Sequence, residues 1–209
     1  MARRDRERRP AQKLVQEKRF LVVVEGAVTE PEYIEAVRRS RRMRSIAIQI
    51  ETGHTEPIGI VNQAKSMMER ARKTDQYDQV WCVFDSETKQ TQRCRKGLLE
   101  AINSAGHARG GSIGLAISNP CFELWIWLHE HDQNAWIAST DIQAKCTRVV
   151  DKHIVNVDEL LKLYPDAQRR AKQLDERHEQ DNRTPEDRNP SSGIYKLIDA
   201  IYETFPPRT

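Results

Sequence analysis

Cysteine is scarce: the 209 residues hold four, and Cys82, Cys94, Cys121 and Cys146 are scattered without a CxxC pair. That spacing suits neither a zinc ribbon nor a disulfide framework, and a chain of this length needs no staples to hold a core, so reduced thiols are expected. No apolar run approaches the roughly 20 residues of a membrane span, and the Arg-rich N-terminus has no apolar segment behind it. The reading is therefore a cytoplasmic protein without a membrane partner. A Walker A loop, a helix-turn-helix, an RNP motif, a C₂H₂ finger and an internal repeat are all missing, which excludes P-loop ATP hydrolysis and the familiar base-reading modules. His129 and His131 flank Glu130, but the zinc motif HExxH needs its histidines four apart on one helical face. Charge of one sign is also lacking, because charged residues make up 31% of the chain while the net charge is only +3.

What is present is an alternation of buried strands and amphipathic helices. Phe20 to Val24 is continuously apolar and β-branched, as in a strand covered on both faces, and Gly26 then permits a tight turn. Thr29-Glu30-Pro31-Glu32 reads as a helix start, with Thr29 as N-cap, and the helical period continues to about Arg42. Ser45 to Glu51 alternates with period two, as in a strand nearer an edge, and a helix follows over Ile58 to Ala71. Val80 to Phe84 and Ile113 to Ile117 read as third and fourth strands, separated by a helix over about Gln92 to Ala105. This order predicts an α/β fold: a compact, mainly parallel four-stranded sheet flanked by helices. From about residue 120 the chain turns into a helical C-terminal extension, with Phe122 to Leu128 apolar, a weak stretch to about Val150, one long charged helix over Val157 to Glu179, a polar loop over Asp181 to Asn189, and a closing helix over Ser191 to Thr204. Residues 1–18 carry too few apolar groups to offset ordering entropy and are expected to form a loose basic arm, with 19–209 a single domain.

Carboxylates stand at the ends of two of these strands. Glu25 follows the first, Asp85 and Glu87 follow the third, and the two acids at spacing two point to one side of an extended strand end. In open α/β sheets ligands bind at the carboxyl ends of the strands, and hard cations take oxygen ligands, so the three acids form a candidate magnesium site. The segment Ser118-Asn119-Pro120-Cys121-Phe122-Glu123 leaves the fourth strand at the same rim. Ser118 or Asn119 can cap the next helix there, or Asn119 and Glu123 can face the cleft; His129, at the end of that helix, is a structural or substrate-contacting residue. Arg38, Arg39, Arg41, Arg42 and Arg44 cluster between the first helix and second strand, either as a solvated face or as contacts to a phosphate backbone.

The blocks VVVEGAVTEPEYIEAV, YDQVWCVFDSET, AISNPCFELWIWLHE and NPSSGIYKLI resemble those of the RloB-like family, a Toprim-related group associated with bacterial phage-defence loci, over most of residues 20 to 204. The resemblance implies a Toprim-like core with Glu25 as the Glu after the first strand and Asp85 as the first Asp of a DxD after the third; the second Asp is Glu87 here. The block around LHE usually ends in an aromatic residue, and here it ends in Glu130. Related Toprim proteins are nucleases, topoisomerases or primases, and members of this group are similar to effectors that work beside an AAA-type ATPase. Two expectations follow. One is a Mg²⁺-dependent endonuclease, with Mn²⁺ as alternative ion, acting on DNA or RNA, transfer RNA included, with Glu25, Asp85 and Glu87 as catalytic and metal-binding residues. The other is a non-catalytic or regulatory subunit of such an ATPase. Either is compatible with a homo-oligomer.

Overall fold

The computed structural model describes residues 18–41, 46–50, 56–72, 76–86, 97–108 and 111–206. Residues 1–17 of the basic arm, Arg42, Arg44, Glu87 and Cys94 lie outside the described residues.

The chain runs β1 (Phe20–Val24), α1 (Thr29–Ser40), β2 (Ile46–Ile50), α2 (Pro57–Ala71), β3 (Gln79–Asp85), α3 (Leu98–Gly106), β4 (Gly114–Asn119) and α4 (Phe122–Leu128). It continues through α5 (Ser139–Lys145), β5 (Val149–Val150), β6 (His153–Ile154), α6 (Val157–Lys162), α7 (Tyr164–Gln180), β7 (Ser191–Ser192) and α8 (Ile194–Thr204). The sheet order is β2-β1-β3-β4-β7. β2, β1, β3 and β4 are mutually parallel, and the two residues of β7 pair antiparallel to the end of β4. The expected α/β architecture, a mainly parallel four-stranded sheet with helices and a helical extension, is what the chain folds into, with β2 on an edge and β7 as a short fifth strand.

All five residues of β1 are fully buried, which explains why its sequence does not alternate: helices cover both faces of the sheet. The pleat divides the strand. Phe20, Val22 and Val24 face a core shared with Tyr33, Trp125, Leu174 and Ile198, whereas Leu21 and Val23 face a second core with Ile60, Val61, Leu98 and Ala101. Each large apolar side chain taken fully out of water contributes roughly 1.5–3 kcal/mol, so the two layers fix the sheet between them.

Several local expectations are corrected. The helix expected over Val157 to Glu179 is two, α6 and α7, broken at Leu163 because Pro165 sits in the first turn of α7 and lacks the N–H that a continuous helix requires there. The closing helix starts at Ile194, since Ser191 and Ser192 are spent on pairing with Asn119 and Ser118. Thr29 is the first helical residue, not the cap, and its hydroxyl donates to the Lys152 carbonyl at 2.7 Å. α4 is preceded by Cys121 with no side-chain cap, so neither Ser118 nor Asn119 caps it. The weak stretch before Val150 contains α5, and β5 and β6 form a hairpin that the sequence reading did not identify. Among the described residues no helix is long and apolar enough to cross a membrane.

Candidate functional site

The crossovers from β1 lead outward to β2, while β3 and β4 lie on the other side, so β1 and β3 flank the point where the strand order reverses. That crevice is where open α/β sheets bind ligands. Glu25 follows the last residue of β1 and Asp85 ends β3, so both carboxylates arrive at its rim. Their backbones are locked together: the Glu25 N–H donates to the Val83 carbonyl at 3.1 Å, and the Asp85 N–H donates to Glu25 Oε2 at 3.4 Å.

A cavity of about 400 Å³ opens there, and Glu25, Glu30, Asp85 and Glu123 line it together with Thr29, Gln143 and Lys152. Glu123 arrives from the first turn of α4. It lines the same cavity as Asp85, and the Cys121 thiol is pushed up first by burial and then by the charges of Asp85 and Glu123. The Cys146 thiol, pushed up to about 11 by burial, also senses Glu123. Glu30 is nearly buried and folds back over Gly26, where an added Cβ would meet its Oε2 at 1.8 Å. Gly26 is thus the residue that makes room for the fourth carboxylate. Cys82, Cys121 and Cys146 are buried free thiols.

Of the expected site residues, the structure brings Glu25, Asp85 and Glu123 to one cavity. Glu87 lies outside the described residues. Ser118 is level with Asp85 in the β3–β4 register, and its hydroxyl lies 3.4 Å from that of Ser192. Asn119 is 3% exposed and lines a separate cavity of about 110 Å³ with Ser191, Arg188 and Lys196. His129 is away from the rim, buried between Tyr33 and Trp125. Glu130 is held by two hydrogen bonds from Arg148, and this pairing lowers its pKa.

The described arginines of α1 lie at the far end of the sheet. α1 leaves the carboxyl end of β1 and returns antiparallel to it, and Arg41 stacks 4.0 Å from the ring centroid of Tyr202 while Phe205 meets Phe20 at the start of β1. Arg38, Arg39 and Arg41 stand away from the cleft because a helix following a strand carries its C-terminus to the opposite edge. Arg38 is bound to Glu35 through two hydrogen bonds of 2.7 and 2.6 Å, and Arg39 is 3.8 Å from Asp158.

Sequence reasoning missed Gln143 and Lys152. Lys152 comes from the hairpin tip, where Asp151 and Lys152 both have positive φ, at 49° and 68°. A signal existed: two β-branched pairs, Val149-Val150 and Ile154-Val155, bracket a short polar step. It was faint because the usual Asn-Gly or Asp-Gly tip is absent.

The donor set is all oxygen, which is the chemistry a hard divalent cation takes. Among the described residues no three His, Cys, Asp or Glu side chains gather into a metal-holding group. The two carboxylates Glu25 and Asp85 fit such an ion in kind.

A family model described as RloB-like protein matches residues 20–201, and the chain belongs to that family. No curated protein and no solved structure matches it.

Proposed function

We propose that this RloB-like protein is a metal-dependent nuclease of the Toprim type, cleaving phosphodiester bonds of DNA or RNA, transfer RNA among them, as an effector in anti-phage defence. The observation that carries the reading is the convergence of Glu25 and Asp85 on one cavity at the β1/β3 switch point. Asp85 and Glu87 would hold Mg²⁺ or Mn²⁺, with Glu123 beside them. Such an ion, when bound, supplies charge stabilisation at the phosphoryl oxygens and a more acidic water. Glu25 is placed to take or return a proton, since the Asp85 N–H orients its carboxylate at the cavity wall. Thr29 and Lys152 line the same cavity and are joined by the Thr29 hydroxyl's bond to the Lys152 carbonyl.

A second reading is a non-catalytic or regulatory partner of an AAA-type ATPase. Metal titration separates the two. Wild type is expected to bind Mn²⁺ in calorimetry and to cleave labelled DNA or total RNA; Asp85→Asn keeps the shape and removes the charge, so both signals fall by about 100-fold or more with the melting temperature nearly unchanged. Wild-type-like cleavage by Asp85→Asn would sink the nuclease reading. Glu87→Asp restores the family's DxD spacing and should shift activity or the Mg²⁺/Mn²⁺ preference; indifference in both would make Glu87 a solvated acid.

A further inference from the structure

Among the described residues the cavity is lined by four carboxylates, Glu25, Glu30, Asp85 and Glu123, and by one basic side chain, Lys152. Lys152 is exposed and makes no ion pair with a described residue, whereas Arg148, at the start of the same hairpin, is engaged with Glu130. Among these described lining residues the four carboxylates repel a phosphate, Thr29 and Gln143 are neutral, and Lys152 attracts it.

The backbone under Lys152 is unusual. Val150 pairs with His153, so Asp151 and Lys152 form a two-residue tip with positive φ at both positions, the type I′ turn. Asp tolerates the left-handed region because its short polar side chain bonds locally, but Lys has no such compensation and is disfavoured there. Strain of this kind persists only where the surroundings hold it, and it concentrates at ligand clamps. Here the surroundings do hold it. Thr29 donates to the Lys152 carbonyl at 2.7 Å, and the Ile154 N–H donates to Glu32 Oε2 at 2.9 Å, so both bonds tie the hairpin to the first turn of α1 at the cavity edge.

We propose that Lys152 is the phosphate-contacting residue of this cavity, a fixed ammonium on a tethered hairpin that pairs with a backbone phosphate of a nucleic acid and so holds the neighbouring phosphodiester against Glu25 and Asp85. This rests on the nuclease reading of the same cavity. The contact is to phosphate alone, so it adds affinity without base preference.

The test is fluorescence anisotropy of labelled single-stranded DNA and RNA oligonucleotides with the full chain in Ca²⁺, titrated between about 50 and 200 mM salt. Lys152→Asn removes the charge while accepting the left-handed backbone, and Lys152→Gly does the same without a side chain, so the turn survives in at least one. The expected result is a several-fold weaker affinity with the slope of log K against log salt reduced by about one. Lys152→Arg restores both, which a merely structural lysine would not require. If wild type binds and the neutral variants keep its affinity and slope, this inference falls while the nuclease reading stands. If wild type binds neither nucleic acid, both fall together.

Discussion

His129 is held as one neutral tautomer by its two neighbours. Its Nδ1 lies 2.9 Å from the Trp125 carbonyl, which can only accept, so Nδ1 carries the hydrogen; Nε2 then accepts from the Tyr33 hydroxyl at 3.0 Å. Burial is the main reason its pKa is lowered from 6.5 to about 4. Between these values the unfolded chain binds a proton that the folded one refuses, so the contribution is complete above pH 6.5 and lost as pH falls toward 4. The loss is on the order of 3 kcal/mol. Denaturant titrations from pH 7 to 4 should show it, and His129→Gln should flatten that part of the pH profile while lowering stability at pH 7, where the Tyr33 contact is impaired. An equally steep profile in the variant would place the acid sensitivity elsewhere. At the same scale, the residue types that mark the site were legible: a carboxylate directly after a buried strand shows in sequence alone. The role of His129 was not, because a ring that ends an apolar helix reads alike whether it faces a cleft or, as here, an aromatic cluster.

At the scale of elements, Arg170 adds polar bonds to the apolar packing of α7 on α4. Arg170 donates to the carbonyls of Leu128 and His129 at 2.8 and 2.9 Å and to Asp132 Oδ1 at 2.8 Å, satisfying acceptors that the last turn of α4 leaves without helical partners. The side chain is 15% exposed, against 52% for the adjacent Arg169, whose pairing with Asp166 is an exposed i,i+3 contact. Arg170→Ala should therefore cost about 2 kcal/mol in denaturant unfolding, and Arg169→Ala less than about 0.5. Equal costs would mean that solvent replaces the guanidinium on those carbonyls. β1 and β3 were legible because largely buried strands write apolar runs, and β2 because its sequence alternates with period two. The hairpin, β7 and the break at Leu163 were not. Two-residue strands are too short to show a period, and their pairing is decided by tertiary contacts: Ser191 and Ser192 are captured by β4, and the hairpin by Thr29 and Glu32.

On the scale of the molecule, parallel topology separates two charged regions that lie close in sequence. Every strand of the four-stranded core delivers its end to the carboxylate rim, and every following helix carries its last turn away from it, so Arg38, Arg39 and Arg41 stand at the edge opposite Glu25 and Asp85. From Thr29 to Arg39 the helix spans roughly 15 Å, at 1.5 Å per residue. A nucleic acid strand advances about 3.4 Å per phosphate in a duplex, so only a substrate of several nucleotides can touch both ends at once. Arg38 is bonded to Glu35 and Arg41 is stacked on Tyr202, which leaves the exposed Arg39, with Arg42 next to the helix end in sequence, as the arginines to test. Replacing both by Ala should lower affinity for a long substrate and reduce its salt slope by about one to two, while a trinucleotide confined to the cavity binds as before. An unchanged slope on the long substrate would assign these arginines to a solvated face, and an equal loss on both lengths would mean that they act on the cavity through the fold, since α1 also carries Thr29 and Glu30 at its other end.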